Sequence, residues 1–429
     1  MGVRVGFLTE RMLLGFGVDL VVHETARRLM LRGFEPTVFT TRSDETYRDA
    51  PYPIVDLSAR VGSDDVFSPS FMLACLEVLQ SAGMEAWVVE TPPFYDWFEH
   101  LPAPVVCVEH GTPPGSFFPR RLGRRIEALR QRRFEDVYGN LRPGDGVVAI
   151  SEYIRSGLPP EVAGRAVVIH NGSDHYPLAT AEAARAFRRR CGVGEDEVVV
   201  LWVGRAELHN DLQPYKGFRE LLALAPAITS RVRGVRVVAV GRGDEAARGA
   251  MERAGITPLF HLPVQDMAAA LRGADVLVST SRWEGFNLPL VEAQFQGTPV
   301  VAYRLCAHPE VVRDGESGIL VATREELLSA VVRLASDAEV RRRLAEGARA
   351  AVARFTWDAA ADRLATYLQR CLAEARRHPL LPPTPPVKDR RYYLKVARRI
   401  LRREGIVVLL RESLSALRKR ARHLLSSRA

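Results

Sequence analysis

Apolar and polar positions follow one another along this chain in short alternating blocks. Residues 3–9 (VRVGFLT) form a brief apolar run, the trace left by a parallel strand buried on both faces. The block 19–33 has helical periodicity instead, with Val22, Ala26, Leu29 and Met30 on one side and Gly33 as a stop. Residues 37–40 (TVFT) read as the next strand. Further strands are predicted over 84–90 and 103–110, over 146–153 where strand passes into helix, and over 166–172, closed by Asn171-Gly172. The pattern then restarts. Strands are predicted over 197–205, 235–243, 274–281 and 298–303, with helices between them, for example over 217–228 and 264–274. Such alternation predicts mostly parallel sheets covered by helices on both faces. Two successive sets predict two domains with a cleft between them and a linker near 170–182. Internal sequence symmetry is not evident, so similar architecture is expected without a duplication. The helical block 358–375 follows Phe355-Thr356-Trp357. It either closes the second domain or crosses back to the first.

Length and composition agree with this picture. The 429 residues are too many for one ordinary core and suit two. Cys75, Cys107, Cys191, Cys306 and Cys371 are scattered, odd in number and without metal-ligand spacing. This favours a reducing compartment over a disulfide scaffold or a metal centre. The opening residues read as a strand and not as a signal peptide. No stretch reaches the roughly 18 apolar residues of a membrane span, so a cytoplasmic location is expected.

Charge is unevenly placed. The net charge is +9, yet residues 387–429 hold fourteen Lys or Arg against three Asp or Glu, which leaves the rest slightly acidic. The basic character therefore describes a tail, tethered by the proline-rich segment 378–387. It does not mark the body as a nucleic-acid binder. In the tail Val396, Ile400, Val407, Leu410, Leu414 and Leu417 recur at roughly helical spacing, which suits a helix lying on an anionic membrane or packed on the body. A second basic run, 120–133 (RRLGRRIEALRQRR), fits an anionic acceptor, a membrane surface or a solvated helix face. Neither run carries a nucleic-acid recognition motif.

The strongest chemical signal is 279–303, STSRWEGFNLPLVEAQFQGTPVVAY. A strand ends near Ser281, a glycine-bearing loop follows, and Pro289 suits the first turn of a helix. The amides of Gly285, Phe286 and Asn287 then lie near the positive end of that helix, where they can hold phosphate or sugar hydroxyls. Glu284 stands at the loop mouth and Glu292 about one turn into the helix. From spacing alone these carboxylates fit either a ligand site or a solvated loop and helix start. Arg205 (203–205, VGR) and Lys216 (216–217, KG), taken alone, read as surface charges.

The stretch from Glu284 to Glu292 (Glu, seven residues, Glu), followed by Gly-Thr-Pro-Val-Val, resembles the carboxylate motif of retaining glycosyltransferase family 4. That family has the GT-B fold, two Rossmann-like α/β domains facing across a cleft. The likeness covers roughly 3–370 and implies domains at 1–172 for the acceptor and 173–376 for the nucleotide-sugar donor, with 377–429 as linker and tail. It implies that Glu292 binds the ribose and that Glu284 lies near the donor sugar and diphosphate. Gly285, Phe286, Asn287 and Leu288 give the sugar backbone contacts. The resemblance also puts Arg205, after Gly204, and Lys216 on the diphosphate, although LHNDLQPY (208–215) lengthens the span before Lys216. Gly15 and Gly17 resemble the family's glycine-rich loop, interrupted here by Phe16. His110, ahead of GTPP, resembles the histidine beside the transferred sugar. Glu109 receives no nucleophilic role. Ser151 fits a helix cap near the cleft. AVVIHNGSD (166–174) resembles the interdomain Pro-Asn-Gly-Val-Asp link, with His170 and Ser173 as replacements.

One departure lies at 303–312. Cys306, Ala307 and His308 precede Pro309-Glu310 where the family often has paired glycines, and there His308, Asn287 and Trp283 are expected to tune sugar recognition or, for Trp283, to pack the loop. The resemblance implies retention by same-face attack with a UDP- or GDP-sugar as co-substrate, no required cofactor or metal, and a glycan, lipid-linked or small-molecule acceptor. The alternatives are a synthase for a small soluble glycoside and a non-catalytic sugar-nucleotide-binding partner.

Overall fold

The structure, a computed structural model, describes residues 2–378 and 380, apart from 64, 195 and 209–212. The basic tail and most of the proline-rich segment lie outside the described residues. Two wholly parallel sheets form the body. The first contains β1 (Val3–Leu8), β2 (Phe34–Thr40), β3 (Ile54–Asp56), β4 (Ala86–Val89), β5 (Val105–Glu109), β6 (Gly146–Ala149) and β7 (Val167–Val168), in the order β3-β2-β1-β4-β5-β6-β7. The second contains β8 (Val198–Ala206), β9 (Val235–Gly243), β10 (Ile256–Phe260), β11 (Val276–Val278), β12 (Val300–Tyr303) and β13 (Gly318–Val321), in the order β10-β9-β8-β11-β12-β13. Every residue of β4, β5, β6 and β12 is buried, as near-continuous Val and Ala runs require when helices cover both faces.

In each sheet the strand order reverses once, between β1 and β4 and between β8 and β11. Ligands of open α/β sheets lie beyond the carboxyl ends of the strands at such points. The segments leaving those ends are 9–17, 90–93, 207–217 and 279–288, and these segments carry most of the chemistry.

The chain passes between the halves twice, and the two passages are stapled together. Ser173 donates to the Phe355 carbonyl through both its amide (2.8 Å) and its hydroxyl (2.9 Å). The Trp357 amide donates to Asp174 Oδ1 at 2.8 Å. An added Cβ on Gly172 would lie 2.4 Å from the Trp357 nitrogen, so glycine is required for this approach. The helix Trp357–Arg377, capped by Thr356, then crosses back to the first sheet. There Arg32 pairs with Asp358 (3.0 Å) and Asp362 (2.6 Å), and Tyr367 accepts from the Val147 amide at 3.2 Å. Of the two placements the sequence allowed for this helix, the second is the one adopted.

Several boundaries differ from expectation for local reasons. The first helix runs Gly17–Leu29, and the 3₁₀ turn Met30–Arg32 that follows swings Met30 outward to 40% exposure, off the apolar stripe. Strand β10 escaped the sequence pattern because it is an edge strand interrupted by Pro258, and β3 because it is only three residues long. Strand β11 spans only Val276–Val278, shorter at both ends than predicted, although the Ser279 amide still donates to the Val301 carbonyl at 2.9 Å. Within the basic run 120–133, Arg133 leaves the solvated face: it turns inward to Glu109, while the helix Arg120–Arg132 keeps Arg120, Arg121, Arg124 and Arg125 exposed.

Candidate active site

Beyond β11, Thr280 Oγ1 accepts from the Trp202 indole (3.0 Å) and donates to the Lys216 carbonyl (3.3 Å). Lys216 ends the 3₁₀ turn Pro214–Lys216, and Gly217 follows with φ +74°. An added Cβ on Gly217 would stand 2.1 Å from the Thr280 carbonyl oxygen. The Lys-Gly pair is thereby pressed onto the end of β11. Its Nζ lies 2.9 Å from each carboxylate oxygen of Glu284, which is itself buried. Trp283 packs edge-on against Tyr215, the residue before Lys216, with ring centroids 5.5 Å apart.

The helix Leu288–Phe295 opens on Asn287, held at φ +72°, with Pro289 in its first turn. Asn287 Nδ2 donates to Ser279 Oγ (3.1 Å) and to His308 Nε2 (2.8 Å), while His308 Nδ1 donates to the Tyr303 carbonyl (2.7 Å). Burial holds the His308 imidazole below its usual pKa, which keeps it the neutral acceptor this network needs. His308 therefore fixes Asn287 from beneath, fully buried, and does not itself face the cleft. Cys306 sits at φ +51°. This is the left-handed backbone that explains a glycine preference at this point and that a cysteine adopts here at a cost of ~1–2 kcal/mol. The side chain of Phe286 points away, into the passage between the halves, against Phe355 and His170.

Glu292 is buried within its helix, and its neighbour was not foreseen. His175, from the first passage, accepts from the Trp357 indole at Nδ1 (3.2 Å). Its Nε2 lies 3.2 Å from Glu292 Oε1, off the line of a hydrogen bond, and has no hydrogen-bond partner among the described residues. The hinge thus reaches the carboxylate directly.

Across from this loop, His110 follows β5. Its Nε2 lies 2.7 Å from the carboxylate of Glu90, which is buried at the end of β4. Gly111 (φ +88°) permits close packing, since an added Cβ would be 3.0 Å from the Trp283 ring. Gly285 meets the same turn from the other half, where an added Cβ would be 2.4 Å from the His110 carbonyl. Glu109 points elsewhere. It accepts from Arg133 (3.0 Å), Tyr138 (2.6 Å) and the Gly111 amide (2.9 Å). Burial alone raises its pKa, but these partners outweigh it and hold the carboxyl below the usual range.

Arg205, one residue before the end of β8, is in register with Arg242, one residue before the end of β9, and Gly204 pairs with Gly241 beside them. Both guanidinium groups lie over the ring of Phe16 from the glycine loop, at 4.3 and 4.8 Å from its centroid. In that loop Gly15 (φ +80°) abuts Arg242 and Gly17 abuts Leu288, each 3.4 Å from where a Cβ would stand. Burial, then the charge of Arg11, lowers the pKa of Arg205. A last tie spans the halves. Glu310 accepts from the amides of Glu152 (2.8 Å) and Tyr153 (2.7 Å) and lies 3.0 Å from His170 Nε2. Ser151 caps the same turn through the Ile154 amide at 3.1 Å.

The structure thus brings Lys216 to Glu284, Gly285 to His110, and Gly15, Gly17 and Arg205 to one edge of the cleft, while Glu292 sits with the hinge. Sequence reading missed Glu90, His175 and Arg242. Arg242 left a trace, since Val-Gly-Arg occurs at both 203–205 and 240–242.

Comparison with known proteins gives the family and the fold. The family model described as "Glycosyltransferase Family 4" matches residues 17–176, and that described as "Glycosyl transferases group 1" matches 197–337. The chain is 38% identical over 399 residues to the D-inositol 3-phosphate glycosyltransferase of Geodermatophilus obscurus, covering 81% of this chain and 83% of that protein. It is 33% identical over 238 residues to the phosphatidyl-myo-inositol mannosyltransferase of Mycobacterium leprae, covering 53% and 60%. Another D-inositol 3-phosphate glycosyltransferase, from Saccharomonospora viridis, is matched over 47% of its length. Among solved structures, sucrose-phosphate synthase from Thermosynechococcus elongatus superposes with a TM-score of 0.71 at 18% identity, covering 86% of this chain and 99% of that one. This last likeness concerns the fold, two Rossmann-like halves across a cleft.

Proposed function

Since this chain belongs to glycosyltransferase family 4, we propose that it transfers a hexosyl group from a UDP- or GDP-sugar to a hydroxyl of a glycan or lipid-linked acceptor of the cell envelope, with retention at the anomeric carbon. The observation that carries this reading is the buried Glu284–Lys216 pair, set beside the Gly285–His110 contact between the halves. The donor half is taken as 173–376 and the acceptor half as 1–172.

In this reading Glu292 accepts hydrogen bonds from the ribose hydroxyls. Arg205 and Lys216 oppose the charge that grows on the departing diphosphate, where fixed cations lower the barrier most. Lys216 is oriented for this by Glu284 and needs only to turn its ammonium from one anion to another. The amides of 285–288 meet the sugar. Asn287 cannot swing freely, because His308 and Ser279 hold its amide. His110, with Nε2 committed to Glu90, has Nδ1 left for the sugar. The acceptor hydroxyl attacks from the face the diphosphate leaves, and the diphosphate takes its proton. Closure of the halves excludes water. The exposed arginines of 120–132 suit an anionic membrane surface on the cytoplasmic side.

A second reading, a small soluble acceptor, draws on the relative named D-inositol 3-phosphate glycosyltransferase. A panel of UDP-, GDP-, ADP- and TDP-sugars, read by mass spectrometry for released nucleotide and glycosylated product, tests the proposal. Turnover that needs anionic vesicles points to the lipid-linked acceptor, and turnover in their absence points to the soluble one. No turnover and no binding with any donor defeats both.

A further inference from the structure

Aromatic rings bridge the two halves beside Lys216. In the first half, the segment after His110 ends in the 3₁₀ turn Gly115–Phe117, followed by Phe118 and the helix Arg120–Arg132. That turn is lashed to the helix. The Gly115 amide donates to Glu127 Oε1 at 2.7 Å, and an added Cβ on Gly123 would stand 2.1 Å from the Gly115 carbonyl oxygen. Phe117 and Phe118 are therefore presented from a firm base. Both meet the ring of Tyr215, in the second half, edge-on, with centroids 5.9 and 6.2 Å apart. Trp283 meets the same ring at 5.5 Å. Tyr215, Phe118 and Trp283 are all buried there. The Lys216 ammonium lies over the Tyr215 ring, 5.8 Å from its centroid, while it holds Glu284.

We propose that Tyr215 is a positioning residue that makes the diphosphate site depend on the acceptor half: Phe117 and Phe118 fix its ring, and its ring fixes Lys216. This rests on the donor reading above, in which Lys216 meets the departing diphosphate. A cation lowers the barrier most when it is already in place, because nothing then reorganises as charge develops. A lysine has a flexible four-carbon stem and loses rotamer freedom whenever it is held. The backbone bonds at this turn do not supply that order. The Arg282 amide donates to the Tyr215 carbonyl (2.7 Å) and Thr280 Oγ1 to the Lys216 carbonyl (3.3 Å), and both fix main chain alone. Glu284 orders the ammonium but competes with phosphate for it. The Tyr215 ring acts on the ammonium within cation–π range and carries no charge that phosphate must displace. That ring is held from both halves. Withdrawal of the first half would remove the Phe117 and Phe118 edges, so Lys216 is best ordered with the halves together. The same short stretch, 110–118, begins with His110, which couples the acceptor side to the donor cation.

The test compares nucleoside diphosphate with monophosphate. Calorimetric titration of UDP against UMP, and of GDP against GMP, gives each protein's preference for the second phosphate. The wild-type protein is expected to prefer the diphosphate. Phe118→Leu should lower that preference at least about fivefold, by weakening the diphosphate while the monophosphate stays within about twofold. Phe117→Leu, at a partly exposed position, should lower it too and replaces Phe118→Leu if that variant does not fold. Tyr215→Leu should lose the preference, and Tyr215→Phe, which keeps the ring, should recover it. With Lys216→Met in place, Phe118→Leu should cause no further loss, since the cation it orders is gone. Equal weakening of both nucleotides in the phenylalanine variants reveals packing alone and overturns the proposal. An unchanged preference in them, or a full further loss in the Lys216→Met background, overturns it too. Failure of the donor reading shows separately in the wild type, as absent nucleotide binding or as equal affinity for diphosphate and monophosphate, and ends both.

Discussion

Gly217→Ala isolates the contact that delivers Lys216. Two costs fall on the alanine. The left-handed backbone at φ +74° costs ~1–2 kcal/mol for any residue with a Cβ. The Cβ would also stand 2.1 Å from the Thr280 carbonyl oxygen, about 1 Å inside the closest approach such atoms make, and the two nearest atoms are both backbone. Relief requires the 216–217 turn and the end of β11 to part, an overpacking cost of ~1–3 kcal/mol. Gly234→Ala is the matched control. Its φ is +71°, but among the described residues nothing lies within 4 Å of the added Cβ, so only the first cost applies. Urea denaturation of the two variants, compared through their midpoints at a shared m-value, should separate them by ~1–3 kcal/mol. Turnover should separate them further. Displacing Lys216 is expected to lower kcat/KM about tenfold or more in Gly217→Ala, with Gly234→Ala within about twofold of wild type. Equal midpoints and equal kcat/KM in the two variants would show that the Lys-Gly turn is not seated on β11 as described.

Three other predictions follow from groups wholly or partly withdrawn from solvent. Burial raises the pKa of Glu310, yet its bonds to His170 and to the Glu152 and Tyr153 amides outweigh burial and hold it below the usual value. Its ionised form therefore adds stability above the unfolded pKa of about 4.3, and this is lost as pH falls through the lower folded value. The melting-temperature gap between wild type and Glu310→Gln should be widest near neutrality and close in acid; a gap that widens in acid refutes the assignment. Asp19 has the opposite sign, since burial raises its pKa to about 7, against the Leu13 amide and Arg11. Folding then favours the protonated form, and the ionised carboxyl becomes a growing penalty as pH rises from its unfolded value through 7. Calorimetry of Asp19→Asn should show a larger gain in melting temperature at pH 8 than at pH 5. His175→Phe removes the N–H facing Glu292 and should raise the donor KM about tenfold with less effect on kcat, whereas His175→Gln should recover part of the loss. An unchanged KM in His175→Phe would detach the hinge from the nucleotide.

Much of this fold was legible because buried parallel strands leave continuous apolar runs such as VVVLWVGR and VRVVAVGRG. The loop around Glu284 was legible for a similar reason, since Pro289 and the glycines constrain the local backbone whatever surrounds them. What escaped were contacts made between residues distant in sequence. Nothing near Glu90 signals that β4 and β5 end side by side and hand it to His110. His175 becomes a neighbour of Glu292 only once the two passages at 173 and 357 are stapled. His308 was expected to tune sugar recognition; it lies fully buried beneath Asn287, so any influence passes through that amide. Arg133 read as one more surface arginine until the helix end turned it onto Glu109.

The central claim is that a nucleotide binds against the helix carrying Glu292. Isothermal titration of UDP and GDP into the purified chain tests it most directly. The account predicts one saturable site for at least one of them and an affinity at least about tenfold weaker in Glu292→Ala, the loss expected when a buried carboxylate no longer meets two ribose hydroxyls. Equal affinity in the wild type and Glu292→Ala would contradict it.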